Sequence, residues 1–471
     1  AISIIKEKIA AGVRIRIVGD YDIDGVCSTC ILYKGLSRVG AKVDYVIPER
    51  IKDGYGINEH IIEKAAADGI HMILTCDNGI AAMSEIAYGK ENGMTIVVTD
   101  HHEVPYLEEN GKKKYLLPPA DAVVDPHRAD CEYPFKGLCG AAVAYKLVEV
   151  LYRVSGKSEQ EVEHLQDNLM ENVAIATIGD VMDLVGENRV FVKKGLELLK
   201  TTKNEGLHAL MQCTGVDTAN LNTYHIGFVL GPCLNAGGRL KSAKVALRML
   251  LAEDPERAGE MADELKELND MRKDMTAKGE AEAIEQVEKQ YMDDKVLVVF
   301  LPECHESLAG IIAGRLREHF HKPSFVLTRG ETTAKGSGRS IEQYHMYQGL
   351  CKVSDLLVKF GGHPMAAGLS LEEKDIDEFR RRLNADAELT EEDFVPKIWI
   401  DVPMPFEYGN EKIDQELKDL EPFGQGNEKP LFAQKSLVIR NVRVLGKNRN
   451  VVKMNLVTET GQPVDGLLFA D

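Results

Sequence analysis

The sequence has no long run of hydrophobic residues. Its apolar segments are short, such as Val296–Leu301, whereas a helix that spans a membrane needs about 20 apolar residues. The first eight residues contain no initiator methionine, no long apolar segment and no small-residue cleavage site. They indicate an amphipathic helix cut from a longer chain rather than a signal peptide. We expect no membrane contact, and we expect both ends to be truncations.

An excess of basic residues is also lacking. The 471 residues include 57 lysines and arginines against 75 aspartates and glutamates, a formal net charge of −18. This balance argues against a generally basic nucleic-acid-binding protein but permits a local basic track. Hydrophobic residues (44%) and charged residues (28%) occur in ordinary proportions, which excludes a disordered, collagenous or coiled-coil chain. The length predicts about three domains.

The nine cysteines are scattered along the chain. The one close pair, Cys27 and Cys30, is compatible with a redox motif, but two small buried core residues are the favoured interpretation. An odd number of unpatterned cysteines fits a reducing compartment. We therefore expect a cytoplasmic protein.

Strands and helices alternate over residues 1–125. Apolar, β-branched segments predict strands at Arg14–Val18, Lys42–Ile47, His71–Thr75, Thr95–Thr99 and Ala122–Val124. Helical segments, one of them capped by Asn58, separate these strands. Such an alternation predicts an α/β fold with a doubly wound parallel sheet and helices on both of its faces.

Three further parts follow this sheet. Mostly helical segments run to residue 254, and residues 255–291 predict one long polar helix, of the kind that bridges two domains. A second α/β unit is predicted at 292–394. From 395 to 471, short strands with Gly and Asn turns predict a small β domain, which we expect to be truncated at its C-terminal end. The predicted domain boundaries are therefore 1–254, 255–291, 292–394 and 395–471.

Carboxylates and imidazoles follow several strands of the first predicted sheet. They are Asp20, Asp22 and Asp24 after the first strand, Asp77 after the third, Asp100, His101 and His102 after the fourth, and Asp180 after an apolar helical segment. The carboxyl edge of such a sheet is where ligands bind. Like charges gathered there are costly unless cations neutralise them. The first motif alone would favour an acidic surface turn, but the three strands together predict a pair of Mn²⁺ or Mg²⁺ ions suited to phosphoryl hydrolysis.

These motifs resemble those of the DHH phosphoesterase superfamily. Further segments resemble its single-strand-specific 5′→3′ DNA exonucleases, and they are Pro126-His127, Tyr133–Gly140, Gly231–Arg239, Gly336–Ser340, Phe360–His363 and Pro422–Asn427. The resemblance covers nearly the whole chain. It implies a DHH domain joined by a long helix to a DHHA1-type domain, and then an oligonucleotide-binding (OB) β-barrel. It also implies processive hydrolysis of single-stranded DNA from a 5′ end to 5′-mononucleotides, in repair and recombination.

The resemblance assigns roles to the clustered residues. The implied ligands of the two cations are Asp22, Asp24, Asp77, His101 and Asp180, with Asp24 and Asp77 as the candidates that bridge both ions. His102 is the implied catalytic residue near the scissile phosphate. Asp20 is implied as a ligand or as a partner of one. Two positions depart from the family's pattern, because Cys304 stands where Trp is common and Cys233 stands where Arg is common.

Each candidate DNA-binding residue also has an ordinary structural interpretation when it is considered alone. Arg50 alone fits a surface ion pair, Gly336–Gly338 a simple turn, Tyr55 surface packing and His363 a structural histidine. Arginine's planar donors suit a terminal phosphate, and an aromatic ring suits a base. The resemblance implies DNA contacts by Arg50, Tyr55, Arg239, Ser337, Arg339 and His363. Residues 431–458 contain six basic and no acidic residues, and they add Arg443 and Lys447.

Three functions remain open from the sequence. A metal-dependent single-strand exonuclease is favoured, with single-stranded DNA, a helicase and a single-strand-binding protein as expected partners and a monomer as the expected state. A DHH phosphodiesterase for short oligonucleotides or cyclic dinucleotides is the first alternative, and the basic β segment after Val395 argues against it. A non-catalytic DNA-binding scaffold is the second, although such proteins typically lose metal ligands that are present here.

Overall fold

The computed structural model describes residues 1–50, 52–109, 111–446 and 449–469, with only the backbone described at 165–167. The chain forms two compact units, Ala1–Pro396 and Lys397–Asp471. No helix in the described ranges is both long enough and apolar enough to cross a membrane.

The first unit begins with a five-stranded parallel sheet in the order β2-β1-β3-β4-β7. Its strands and an outlying hairpin are β1 (Arg14–Val18), β2 (Lys42–Val46), β3 (Met72–Cys76), β4 (Thr95–Thr99), the hairpin pair β5 (Tyr106–Glu109) and β6 (Lys112–Tyr115), and β7 (Ala122–Val124). The helices among them are α1 (Ile2–Ala10), α2 (Ile23–Arg38), α3 (Glu59–Ala67) and α4 (Met83–Glu91). The five predicted strands are confirmed to within one residue at either end.

Helices cover both faces of this sheet because successive strand residues point to opposite sides. Leu74 packs in one apolar cluster with Ile31 of α2, whereas the adjacent Ile73 packs in a second cluster with Ile62 of α3. All five residues of β3 are buried, as expected of a central parallel strand. The predicted cap of α3 is also confirmed, since the Asn58 side chain accepts a hydrogen bond from the amide of Ile61.

A helical region follows and packs against the same sheet. Its helices are α5 (Gly140–Val154), α6 (Glu159–Gly179), α7 (Gly186–Leu199), α8 (Glu205–Cys213), a π-helical segment His225–Leu230, α9 (Gly231–Leu240) and α10 (Lys244–Leu250). The apolar sides of α2, α5, α6 and α7 share one core with the sheet, which includes Cys27 and Cys30. Both cysteines are fully buried, so the structural interpretation of this pair holds.

A long helix connects the two cores of the first unit. Helix α11 (Pro255–Gln286) has 32 residues, about 48 Å at ~1.5 Å per residue, and continues into a π-helical turn, Val287–Tyr291. Near its start, Ala262 and Leu265 pack in the first core. Near its end, Ala283 packs in a separate cluster under the second sheet. The predicted connecting role of this segment follows from these contacts.

The second sheet has the order β11-β12-β10-β9-β8, in which only β8 and β9 are parallel. Its elements are β8 (Leu297–Phe300), α12 (Ala309–Phe320), β9 (Ser324–Arg329), β10 (Ala334–Arg339), α13 (Met346–Lys352), β11 (Leu357–Gly362), β12 (Ala366–Leu371) and α14 (Ile376–Asp386). The interpretation of Gly336–Gly338 as a turn is wrong, because these residues lie inside β10. A Cβ on Gly336 would lie 2.3 Å from Leu327, so this glycine serves close packing between strands rather than a turn.

The second unit contains short strands and one helix. They are β13 (Val402–Pro403), α15 (Glu411–Lys418), β14 (Phe432–Ala433), β15 (Val438–Leu445), β16 (Val451–Val457) and β17 (Pro463–Phe469). Strands β15, β16 and β17 form an antiparallel sheet in which each strand pairs with the next. The predicted small β domain is therefore confirmed.

Candidate active site

Acidic and imidazole side chains from four parts of the chain meet at the carboxyl edge of the parallel sheet. Asp20 follows β1, Asp77 follows β3 and His101 follows β4, while Asp24 lies in the first turn of α2. These four side chains are 1%, 2%, 8% and 1% exposed, respectively. Asp180 does not follow a strand of the sheet. It directly follows the last residue of α6.

The ligand atoms of these residues form three overlapping groups, each within 4.8 Å. The groups are Asp24 with His101 and Asp180, Asp20 with Asp22 and Asp77, and Asp77 with His101 and His102. The Nε2 atom of His101 lies 3.0 Å from Asp77, 3.4 Å from Asp24 and 3.8 Å from Asp180. Asp77 and His101 each belong to two of these groups, and Asp77 is the only carboxylate among the described residues that does.

The orientation of Asp24 is set by the start of α5. The amides of Gly140 and Ala141 donate to its two carboxylate oxygens at 2.6 and 2.7 Å. The positive end of a helix also stabilises a nearby negative charge. Gly140 is required there because a Cβ would lie 2.7 Å from the Cβ of Asp77 and 3.1 Å from a carboxylate oxygen of Asp24.

Asp77 has an unusual backbone conformation. Its φ of 59° lies in the left-handed region, which non-glycine residues adopt at an energetic cost, most readily when they are Asn or Asp. The hydroxyl of Tyr55 donates to the Asp77 carbonyl at 2.8 Å, and the buried amide of Asn78 donates to the carbonyls of Val18 and Cys76. Surrounding contacts thus hold the carboxylate of Asp77 in a strained but fixed position.

The electrostatics of the cluster favour the binding of a cation. Burial, followed by repulsion from neighbouring aspartates, raises the pKa values of Asp20 and Asp180 to about 8. The same causes raise the pKa values of Asp24 and Asp77. Carboxylates gathered in this way are stabilised by a cation, and carboxylate oxygens with an imidazole suit Mn²⁺ or Mg²⁺. The residues present therefore fit a divalent-metal centre.

His102 lies at the open side of the cluster, with its side chain 47% exposed. Its Nδ1 atom is 2.8 Å from Asp100, whose same oxygen also accepts the backbone amide of His101 at 2.8 Å. Burial lowers the pKa of His102, but the Asp100 hydrogen bond and charge outweigh it and raise that pKa to about 9. Asp100 thus orients the ring of His102 and holds the backbone of His101, a role that the sequence pattern did not assign.

The predicted strand-binding residues Arg50 and Ser337 line one cleft of about 460 Å³. The guanidinium of Arg50 lies 5.1 Å from the ring centre of Tyr21. Arg339 is two residues from Ser337 in β10, so both side chains lie on the same face of that strand. Arg239 donates to the carbonyl of Ser307 at 3.0 Å, which joins the end of α9 to the second sheet's domain.

Other predicted contacts do not gather at this cleft. His363 is exposed in the β11–β12 turn, where its amide donates to the carbonyl of Ala366. Tyr55 is half exposed and lies edge-on to His102. Arg443 lies in the second unit, on β15 opposite Lys453. Lys447 falls outside the described residues.

Two residues near the site, Asp125 and Arg272, were not singled out from the sequence. Asp125 follows β7 at the same sheet edge and is 3% exposed, and burial raises its pKa to about 7. Because the sequence predicts strand β7, the position of Asp125 at its carboxyl end could have been recognised. Arg272 of α11 lies close enough to Arg239 to lower the pKa of that guanidinium, which burial and neighbouring arginines bring to about 10. Nothing in the polar pattern of α11 distinguishes Arg272.

Cys233 and Cys304, the two residues that depart from the family's pattern, are both at least partly buried. Cys233 is 1% exposed and accepts a hydrogen bond from the Asn269 amide at 3.4 Å. Cys304 is partly buried beside α11, where its sulfur would lie 3.6 Å from a Cβ on Gly279. Neither cysteine belongs to the metal cluster.

Comparison with known proteins relates this geometry to a family. Three family models match separate parts of the chain, namely the DHH family N-terminal domain at residues 14–177, the DHHA1 domain at 293–388 and the RecJ OB domain at 400–471. The RecJ exonuclease of Salmonella typhimurium is 34% identical over 491 residues, with 100% of this chain and 82% of that protein covered. The chain belongs to the RecJ family.

Curated RecJ proteins are named single-stranded-DNA-specific exonucleases, so this is a nuclease family. The Bacillus subtilis member is 39% identical over 462 residues, which cover 97% of this chain but 56% of that relative. A crystal structure of RecJ from Thermus thermophilus in complex with Mn²⁺ superimposes with a TM-score of 0.81 at 28% identity, covering 100% of this chain and 70% of that one. The architecture of a DHH domain, a DHHA1 domain and an OB domain is thus established.

Proposed function

We propose that this chain hydrolyses single-stranded DNA from a 5′ end and releases 5′-mononucleotides with the help of two divalent cations, Mn²⁺ or Mg²⁺. The observation that carries the proposal is the convergence of His101 with three carboxylates, all within 3.8 Å of its Nε2 atom. The RecJ relatives named as single-strand exonucleases and the Mn²⁺ complex of one of them support the same chemistry.

The proposed ligands of the two cations are Asp22, Asp24, Asp77, His101 and Asp180. When bound, the cations supply a hydroxide at neutral pH and neutralise charge on the attacking and leaving oxygens. The surrounding residues of the chain hold these ligands in fixed positions. The amides of α5 fix Asp24, the left-handed backbone fixes Asp77, and the amide of Gly56, 3.4 Å from its carboxylate, helps to hold Asp20 beside Asp22.

His102 is the proposed catalytic residue closest to the scissile phosphate. Its Nδ1 atom is engaged by Asp100 at 2.8 Å, and its Nε2 atom lies 3.4 Å from the Tyr55 hydroxyl. A phosphate oxygen would meet this half-exposed ring beside that hydroxyl. Asp20 acts beside it as a ligand or as the partner of one.

The cleft lined by Arg50 and Ser337 is the proposed site of the terminal 5′ phosphate, together with Arg239 and Arg339. None of these three arginines forms an ion pair with a carboxylate among the described residues. Arg239 and Arg339 each donate one hydrogen bond to a backbone carbonyl, which leaves other guanidinium N–H groups to bind an anion. Bidentate arginine contacts are the strongest that proteins make with phosphate. Recognition of this group would fix the polarity of digestion.

The remaining assignments concern the chain as a whole. We propose the domain division 1–254, 255–291, 292–394 and 395–471, in which Tyr55, His363, Arg443 and Lys447 contact the strand. A helicase and a single-strand-binding protein are the proposed partners of a monomeric enzyme. A cytoplasmic location accords with nine cysteines that are all free in the described structure.

The proposal is tested by product analysis with the purified chain and Mn²⁺. Equal concentrations of a long 5′-phosphorylated single strand, the same strand in a duplex and a 5′-phosphorylated dinucleotide are compared, with chelator as control. We expect Mn²⁺-dependent release of 5′-mononucleotides, fastest by at least about tenfold from the long single strand. Preference for the dinucleotide, or nucleotide release that persists in chelator, would overturn the proposal.

A further inference from the structure

A separate pocket lies along β7, the edge strand of the parallel sheet. It has a volume of about 620 Å³, and its walls come from α1, β7, the loop that follows β7, and α5. Most of the wall is apolar, and its side chains include Val123, Val124, Leu138, Val143, Leu147 and Val150. Among the described residues, the pocket shares none with the metal-ligand groups or with the cleft around Arg50 and Ser337. Pockets of this size and character bind small organic molecules.

Two segments of the chain that resemble the family's motifs meet at this pocket. Pro126 comes from the Pro126-His127 segment, and Tyr133 and Leu138 come from the Tyr133–Gly140 segment. Apart from Gly140, whose amide holds Asp24, these segments have no part in the proposed function. The pocket gives both of them a common location.

Among the described residues, Asp125 is the one charged side chain of the wall without an ion-pair partner. Its Oδ1 atom accepts a hydrogen bond from the amide of His127 at 2.7 Å. Its Oδ2 atom is buried and has no hydrogen-bond partner in the described part of the chain. The residue is 3% exposed. A buried carboxylate oxygen without a donor is destabilising, so this end of the pocket favours a ligand that supplies an N–H group.

The other charged side chains of the wall are already balanced. Arg128 pairs with Asp130 at 2.6 Å, and Lys146 pairs with Glu187 at 2.8 Å. Arg128 also donates to the carbonyl of Val123, so a side chain already occupies part of the open edge of β7. This contact disfavours an extended peptide, which would need that edge to add a strand. The charge that remains to be compensated is therefore negative, and the space suits a small molecule.

We propose that this pocket binds a small apolar molecule that carries one cationic nitrogen group. The N–H donors of that group meet Oδ2 of Asp125, and the apolar part lies between β7 and α5. The site goes beyond the proposed function, since it uses neither the metal cluster nor the cleft for the DNA strand.

The pocket adjoins two supports of the active site. Asp125 directly follows Val124, whose carbonyl accepts a hydrogen bond from the amide of Asp100 at 3.0 Å. Val143 lies in the first turn of α5, the turn whose amides hold Asp24. A molecule bound here therefore touches elements that position the site without entering the cleft for the strand.

Three probes that share one planar ring test the site. Benzamidine is cationic, benzamide is a neutral donor and benzoate is anionic. Their affinities for the purified chain are measured by ligand-detected NMR titration in excess Mg²⁺. The Mg²⁺ occupies the carboxylate cluster, so that benzamidine does not bind there, and unlike Mn²⁺ it does not broaden the signals.

Two variants alter the pocket in different ways. Asp125→Asn removes the charge and keeps the size of the side chain. Val150→Trp fills the pocket from a position that is 45% exposed, so the fold does not depend on its success with the buried residue. Val154→Trp is the matched control, because Val154 lies one turn further along α5, is 46% exposed and is not part of the pocket wall.

We expect the wild-type chain to bind benzamidine at least about tenfold more tightly than benzamide, and benzoate more weakly still. Asp125→Asn lowers the affinity for benzamidine to that for benzamide. Val150→Trp abolishes the binding of both, and Val154→Trp behaves as the wild-type chain does. Equal wild-type affinities for benzamidine and benzamide, or benzamidine binding that keeps its wild-type strength in either pocket variant, would overturn the site.

Discussion

Replacing Asp77 by asparagine is expected to reduce Mn²⁺-dependent nucleotide release on the order of a thousandfold while raising the Tm of the metal-free protein at pH 8. Asparagine removes the charge of the one carboxylate, among the described residues, that belongs to two of the three ligand groups. It tolerates the left-handed φ of 59° at this position, and its carbonyl oxygen can still face His101. The substitution therefore tests the charge rather than the backbone.

The opposite signs of the two effects follow from the raised pKa of Asp77. Because its folded-state pKa lies above its unfolded value, this carboxyl group destabilises the metal-free fold progressively as the pH rises from about 4. Asparagine has no such cost. Excess Mn²⁺ should then stabilise the wild-type chain more than the variant.

Release kinetics and thermal melts with and without Mn²⁺ check this prediction. Asp293→Asn, at an exposed position, is the matched control and should change neither quantity. A variant with wild-type kinetics would remove Asp77 from the metal centre. A variant that loses activity together with metal-free stability would show damage to the fold instead.

Gly140→Ala is expected to lower kcat/KM by at least about a hundredfold. The added methyl group would lie 2.7 Å from the Cβ of Asp77 and 3.1 Å from both the Asp77 Cα and an Asp24 oxygen. A separation of 2.7 Å is shorter than two carbon atoms tolerate, and 3.1 Å is a tight contact, so α5 and the loop after β3 must move apart. Both ligands then move from their positions, and the apparent affinity for Mn²⁺ falls as well.

Gly137→Ala provides the control from the same loop. A Cβ at this position meets only the Phe135 ring, at 3.6 Å and beyond, which is an ordinary contact. Steady-state kinetics across a Mn²⁺ titration should show near wild-type behaviour for Gly137→Ala. If Gly140→Ala matches this control, the close approach of α5 to the ligands has no catalytic importance.

The sheet and most of the proposed metal ligands were predictable because each follows a short apolar segment of the sequence. Parallel strands buried on both faces appear as short apolar runs, and their carboxyl ends meet by topology. Asp24, Asp77 and His101 follow such runs, so their convergence could be inferred without coordinates. Asp180 follows a helix instead, and only its resemblance to a known motif placed it with the others.

The remaining features depend on packing between distant segments. The pocket lined by Asp125 and Val150 requires the relative placement of α1, β7 and α5, which no period in the sequence specifies. The glycines of β10 resemble a turn in the sequence, yet they lie flat in a strand because Leu327 and Leu369 fill the space beside Gly336. The β5–β6 hairpin escaped notice because its strands are exposed throughout and have no apolar face.

The central claim is that residues far apart in the chain hold two cations at one edge of the parallel sheet. Anomalous scattering from crystals of this chain soaked in Mn²⁺ tests it most directly. We expect two peaks about 3.5–4 Å apart, with Asp77 within bonding distance of both and with Asp24, His101 and Asp180 around one of them. A single peak, or peaks bound by residues outside this cluster, would contradict it.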